Sequence, residues 1–275
     1  MKNEKIIGQE TVVKEIGRIL DIFTASDSQI RPHFILAGQS GSGKSYTIKS
    51  LCKQRDIEML EINAAQLTKE GTSGNSLSKA LSPIMNMKSK MIVVFVDEFD
   101  KLFISSNSNT SIANEITVGV QNEFLKVLES PTACVYGDYG KYINIDISKT
   151  LFVFAGAFNN EEHVTLDKLR NFGVKTEFLG RVGLIYNTNK LTLENLYMIL
   201  ENSDLLEKYL KIFRDAKRED VINTIKEFLK QNYTHNTLGA RIINTLINQY
   251  FIKGGRLGIE EVEEVTFQEQ LFLNR

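Results

Sequence analysis

The chain has 275 residues, 42% hydrophobic and 24% charged, with a formal net charge of −1. That balance fits a globular protein with one large and one smaller domain, and it excludes the strong basic excess of a general nucleic-acid or anionic-membrane binder. The longest apolar runs, 91–96 and 151–158, are too short to span a bilayer, and residues 1–10 hold no apolar signal core. Cys52 and Cys134 stand far apart with no histidine cluster near them, so neither a disulfide framework nor a zinc site is expected. A cytoplasmic location without a membrane partner follows as the expectation.

In chain order, strand-length apolar runs alternate with helical patterns up to about residue 189. "HFILAG" (33–38), "IEMLEIN" (57–63), "MIVVFVD" (91–97), "TLFVFAG" (150–156) and "VGLIYNT" (182–188) are mostly continuous rather than alternating. Strands covered on both faces read this way, and helices between them imply parallel crossovers in a layered α/β sheet. A helix is expected over "SKALSPIM" (78–85), and "SSNSNTS" (105–111) reads as a loop. From residue 190 the apolar spacing turns to three and four, ending in "TLGARIINTLINQYF" (237–251), which has Thr237 as its expected N-cap and stops at Gly254-Gly255. A tail over 258–273 offers a further strand. The division expected is 1–189, an α/β large domain, and 190–275, a smaller and mainly helical one.

"GQSGSGKS" (38–45) matches G-x-x-x-x-G-K-[ST] at every fixed position, after a strand and before a helix. Gly38, Gly41 and Gly43 let the backbone curl so that successive N–H groups converge on phosphate oxygens, and the helix adds its positive end. Lys44 supplies charge for the β- and γ-phosphates, and Ser45 offers a hydroxyl to Mg²⁺. With Gln39, Ser40, Ser42 and Tyr46 these residues form the expected ATP/ADP cradle. "MIVVFVDE" (91–98) is a buried strand ending in two acids, at the edge where α/β sheets bind ligands. Asp97 is placed to share the Mg²⁺ and Glu98 to polarise an attacking water. Asp100 and Lys101 read as a solvated or salt-bridged turn.

Together with three further stretches, these motifs make the chain resemble an AAA+ ATPase of the ClpX/HslU type over nearly its whole length. "IIGQE" (6–10) resembles the segment lying against adenine, with Ile6 and Ile7 as the apolar candidates. "TEFLGRV" (176–182) resembles the arginine-finger segment, which makes Arg181 the finger, projected from a turn at a subunit edge. "LGARII" (238–243) resembles the sensor 2 helix, with Arg241 as the sensor; on its own terms it reads equally as a surface arginine. The resemblance implies a P-loop fold with a helical lid, Mg²⁺-dependent ATP hydrolysis, chaperone-like work on a protein client, and a homo-oligomer. That oligomer would be nucleotide-dependent and six-membered, with Arg181 acting in trans on a neighbour's γ-phosphate.

The chain also departs from that family. It opens directly on the ATPase module, without a zinc-binding domain, and only 17 residues separate "FAGAF" (154–158) from "TEFLGRV" (176–182), where ClpX carries its peptidase-docking loop. Partnership with a ClpP-type protease is therefore not expected. The strand 151–158 should deliver a polar sensor 1 residue but ends in Ala155 and Ala157, leaving Asn159, which could equally be a helix cap. "GTSG" (71–74) lies where ClpX has a glycine-flanked aromatic pore loop, with Thr72 and Ser73 in place of bulky residues. "ACVYGDYGKYINI" (133–145) matches a second pore-facing region through Tyr136, Tyr139, Lys141 and Tyr142, or else is a plain hairpin. Two other functions stay open. One is an accessory ATPase of DNA replication, recombination or packaging that contacts nucleic acid through small polar residues with Lys69 and Lys79. The other is a nucleotide-controlled scaffold.

Overall fold

The computed structural model describes residues 6–71, 74–89, 91–104, 111–137 and 140–257. The expected tail strand, Thr72, Ser73, Tyr139 and most of 105–111 lie outside the described residues. The chain divides into two compact units, Met1–Asn195 with Thr237–Ala240, and Leu196–Asn236 with Arg241–Arg275.

The first unit is built on five parallel strands: β1 (Phe34–Ala37), β2 (Glu58–Asn63), β3 (Ile92–Asp97), β6 (Thr150–Gly156) and β7 (Leu184–Asn187), in the order β2-β3-β6-β1-β7. All five expected strands are present. The continuous apolar runs are explained by two cores, one on each face. Phe34, Leu36, Val93, Phe95, Leu151 and Val153 pack under α1 (Glu10–Ala25) and α2 (Lys44–Gln54). Their chain neighbours Ile35, Val94, Val96, Phe152 and Phe154 face the opposite way, against Phe124 of α5 (Ser111–Glu129) and Phe178 of α7 (Thr176–Arg181). α1 buries Val12, Ile16, Ile19, Leu20 and Phe23, the one-sided spacing of a helix that covers a sheet.

Between β2 and β3, the expected helix over 78–85 is split. α3 (Leu77–Ala80) ends, and a 3₁₀ turn over Ser82–Asn86 follows with Pro83 in its first turn. Proline has no N–H to continue the α ladder and restricts the residue before it. α4 (Lys101–Ile104) follows β3; β4 (Thr132–Tyr136) and β5 (Tyr142–Asp146) form a separate antiparallel hairpin ahead of β6; α6 (Leu166–Asn171) precedes α7. α8 (Leu193–Glu201) contains the boundary between the units.

The second unit holds the rest of α8, α9 (Asp204–Ile212), α10 (Arg218–Asn232) and α11 (Arg241–Ile252). Leu206, Val221, Ile225, Leu229, Ile243, Leu246 and Ile247 are buried, and Tyr209 stacks on Phe251 at 4.6 Å. α11 starts at Arg241, not after Thr237 as the capping pattern suggested; residues 237–240 are drawn into the first unit. Among the described residues no helix is long and apolar enough to cross a membrane.

Candidate functional site

The site lies at the carboxyl ends of the parallel strands, where register brings Ala37, Gly156 and Asn187 side by side and Asp97 level with Asn63. β1 runs directly into the glycine-rich loop. Gly41 (φ 73°) and Gly43 (φ 93°) take the left-handed conformation, and Gly43 caps α2. Around Gly43 a Cβ would meet nothing within 4 Å, so the curl leaves open space at the amino end of an 11-residue helix. Lys44 folds back over this loop, its Nζ donating to Gly38 O (2.6 Å) and Gln39 O (3.1 Å). Its charge is thus held at the mouth of the cradle. Ser42 is buried, whereas Ser40 and Tyr46 are exposed on the outer side.

β3 delivers the acids as expected. Ser45 Oγ donates to Asp97 Oδ2 at 3.3 Å, across 52 residues of sequence. Asp97 Oδ1 accepts from Glu98 N at 2.9 Å, and Glu98 itself is left-handed (φ 55°). That uncommon backbone turns Glu98 away from the strand direction; Phe99 N then donates to Ala155 O at 2.8 Å, tying the turn to β6. A hydroxyl beside a carboxylate is an oxygen-only donor pair suited to a hard cation such as Mg²⁺. Among the described residues no cluster of three or more His, Cys, Asp or Glu could hold a metal unaided. The pair therefore fits an ion whose other ligands are phosphate oxygens and water.

Asp100 is 1% exposed, so of the two expectations, a solvated or a salt-bridged turn, the salt-bridged one holds. Its Oδ2 accepts from Phe158 N at 3.2 Å, and Lys101 Nζ lies 4.0 Å away. A Cβ on Gly156 would come within 2.7 Å of Asp100 Oδ1, so the end of β6 has no room for a side chain at that position. The next residues, Phe158, Asn159 and Asn160, are all left-handed, and Asn159 sits exposed in a 3₁₀ turn.

Three anchors escaped sequence reading. Gln9, in the motif read for Ile6 and Ile7, is 1% exposed. Its Nε2 donates to Ser42 O (3.2 Å) and Asn189 O (2.8 Å), and its Oε1 accepts from Asn189 N (2.8 Å). Thr188 Oγ1 lies 2.8 Å from Ser42 Oγ, and a Cβ on Gly38 would approach it to 1.7 Å. Ala240 N donates to Gly41 O at 2.9 Å. The beginning of the chain, the end of β7 and residues 237–240 thus all grip the loop. Ile7 is buried and Ile6 half-buried.

Arg181 is the last residue of α7, so it projects from a helix and not from the expected turn. Beneath it Phe178 is fully buried, stacked on Phe99 at 5.2 Å. Gln121 of α5 fixes the approach to this helix, donating to Gly173 O (3.2 Å) and accepting from Lys175 N (3.1 Å). The guanidinium is half exposed and pairs with Glu129 at 2.9 Å. Such a surface pair contributes roughly 0–1 kcal/mol, so it is readily exchanged for a stronger anion. Arg241 opens α11 in the second unit.

Residues 34–178, more than half of the chain, match the ATPase family associated with various cellular activities (AAA). The chain belongs to this family and is an ATPase of the ClpX type. Over its length it is similar to the ATP-dependent Clp protease ATP-binding subunit ClpX of Bacteroides fragilis, at 24% identity over 300 residues, covering 89% of this chain and 72% of that protein. The ClpX of Bacteroides thetaiotaomicron is 23% identical with the same coverage. That of Treponema denticola is 26% identical over 270 residues, covering 90% of this chain and 63% of that protein.

Proposed function

We propose that this ATPase remodels protein clients as a head-to-tail ring of six, with the nucleotide held by residues 38–46. The observation that carries the catalytic reading is the meeting of Ser45 and Asp97 at 3.3 Å, with Glu98 turned out of the strand next to them. Loop amides and Lys44 hold the β- and γ-phosphates; Ser45 and Asp97 hold Mg²⁺, which when bound neutralises charge on the phosphate oxygens. Glu98 accepts a proton from the water that attacks the γ-phosphorus, the bond to the bridging oxygen breaks, and ADP and phosphate leave.

Arg181, anchored by Phe178 and half exposed, exchanges Glu129 for a neighbour's γ-phosphate on assembly; Arg241 takes the role of sensor arginine. Ile6 and Ile7 supply an apolar edge for adenine, and Asn159 a polar contact near the γ-phosphate. The relatives are named as ATP-binding subunits of a Clp protease. In this chain the segment after β6 is short and folded back, with Val164, Leu169 and Val174 buried, which supports work without a ClpP-type peptidase.

The test is the Glu98→Gln protein. It should bind ATP, fail to hydrolyse it, and elute as a ring with trapped client. Mixing it with inactive Arg181→Ala protein should restore part of the turnover if the arginine works in trans. Full turnover by Glu98→Gln, or only monomer in ATP, would overturn the assignment.

A further inference from the structure

The hairpin of β4 and β5 has a feature that nucleotide chemistry does not use. Among the described residues β5 pairs with β4 and with no other strand, Tyr142 lying opposite Tyr136, Asn144 opposite Cys134 and Asp146 opposite Thr132. Beyond either end of the ladder, Gly137 N donates to Lys141 O and Ile147 N to Pro131 O, both at 2.8 Å. In an antiparallel pair, hydrogen-bonded positions alternate with positions whose backbone groups face away. Residues 141, 143, 145 and 147 therefore turn their N–H and C=O groups to β4, and Tyr142, Asn144 and Asp146 turn theirs to the open edge. Four of the five residues of β5 are exposed and Ile145 is half-buried. Sheet edges are commonly blocked by proline, lysine or a bulge. "YINID" contains no proline or lysine, and its register is unbroken.

Beside this edge lies apolar surface. Tyr136 and Tyr142 are 38% and 53% exposed and Ile143 is 44% exposed. The two tyrosine rings meet edge to face at 5.5 Å. The hairpin is also tied to the segment holding Gly71 and Gly74: Tyr142 OH donates to Glu70 Oε1 at 2.5 Å, and Lys79 Nζ lies 5.5 Å from the centre of the Tyr136 ring. Donors and acceptors repeating along a strand about 17 Å long are matched by another extended backbone and by little else.

We propose that the free edge of β5 takes an extended segment of a polypeptide client by strand addition, with Tyr136 and Tyr142 packing on its side chains. This rests on the client-remodelling reading and names the surface that holds the client. Main-chain pairing is tolerant of sequence, so it supplies a grip that the small residues of "GTSG" cannot.

The probe is a fluorescent 12-residue peptide of alternating valine and serine, together with the same peptide N-methylated at every interior amide. Both are titrated into the full chain with a non-hydrolysable ATP analogue. The plain peptide should bind and the methylated one bind at least about tenfold more weakly, since its donors are gone. Asn144→Pro removes an N–H that faces away from β4, so the hairpin keeps its own bonds. That variant should weaken the plain peptide by about tenfold with basal ATP turnover unchanged. An environment-sensitive dye on Cys134, opposite Asn144, should respond to the plain peptide alone in the otherwise native protein. Equal binding of the two peptides, or full affinity in Asn144→Pro, would overturn strand addition and leave the remodelling reading standing. Loss of the assembled form in Asn144→Pro would place a second copy on the edge and equally overturn it. No binding of the plain peptide by the native chain would overturn strand addition, whereas the remodelling reading falls only if Glu98→Gln also traps no client.

Discussion

Replacing Gln9 with alanine tests whether the phosphate loop is held in place from the beginning of the chain. The carboxamide makes three hydrogen bonds, to Ser42 O, to Asn189 O and from Asn189 N. Alanine removes all three and strands their partners. A neutral hydrogen bond contributes about 1 kcal/mol net, and a buried partner left unmet costs about 1–3 kcal/mol. Ser42 is buried, so the upper part of that range applies there, whereas water reaches the exposed Asn189 and lowers its share. The sum is a loss of about 2–4 kcal/mol. The chain has no tryptophan, so urea unfolding is followed by circular dichroism. The midpoint of the first unit should fall by about 1–2 M with little change in slope. Because Ser42 lies inside the cradle, ATP affinity should fall as well, by about tenfold. Gln9→Glu keeps an acceptor for Asn189 N but sets a buried carboxylate against the carbonyls of Ser42 and Asn189, and should be destabilised at least as much as Gln9→Ala. An unchanged midpoint and an unchanged ATP affinity in Gln9→Ala would refute the anchoring role.

Gly41→Ala should abolish ATP binding while the far-ultraviolet spectrum is retained. Its Cβ would lie 2.0 Å from Leu238 O at φ 73°, and backbone cannot swing aside as a side chain does; normal ATP affinity would contradict this. His33 is buried, its Nδ1 accepts from Phe152 N, and burial, reinforced by Arg31, lowers its pKa from 6.5 to about 4. Between those values the unfolded chain takes up a proton that the folded chain refuses. Stability should therefore fall as pH drops from 6.5 to 4, by up to about 3 kcal/mol, and level off below. His33→Gln, melted across the same range, should lose that component; an identical pH profile would count against it. Burial pushes the Cys52 thiol up to about 12, whereas Cys134 is exposed. Maleimide at neutral pH should label one equivalent in the native protein and a second only after denaturation, and two fast equivalents would show that Cys52 is not buried as described.

Much of the nucleotide site was readable from residues close together in sequence. "GQSGSGKS" specifies its own curl, because left-handed glycines and a helix start are local properties. The acids at the end of "MIVVFVDE" could be placed because a fully apolar strand has one direction in which to deliver them. Asp100 was legible only as a turn residue that pairs with Lys101; its neighbours give no sign that the amide of Phe158 lies 3.2 Å from its carboxylate. The start of α11 was misplaced by three residues for a related reason. Thr237 is a sound capping residue, yet pairing of Ala240 N with Gly41 O draws residues 237–240 to the phosphate loop.

By itself, then, the sequence determined the features whose physics is short-ranged: five strands, of which the central β1, β3 and β6 are buried on both faces, a phosphate-binding turn, an acidic strand end and a helical C-terminal region. Tertiary structure alone decided which distant residues complete them. Gln9 reaches Asn189 across 180 positions, Thr188 reaches Ser42 across 146, and Tyr142 reaches Glu70 across 72. No periodicity or local propensity encodes such pairs. They exist because sheet order brings the ends of β1, β6 and β7 together, and because the β4–β5 hairpin folds beside the segment after β2, leaving one edge of β5 without a paired strand among the described residues.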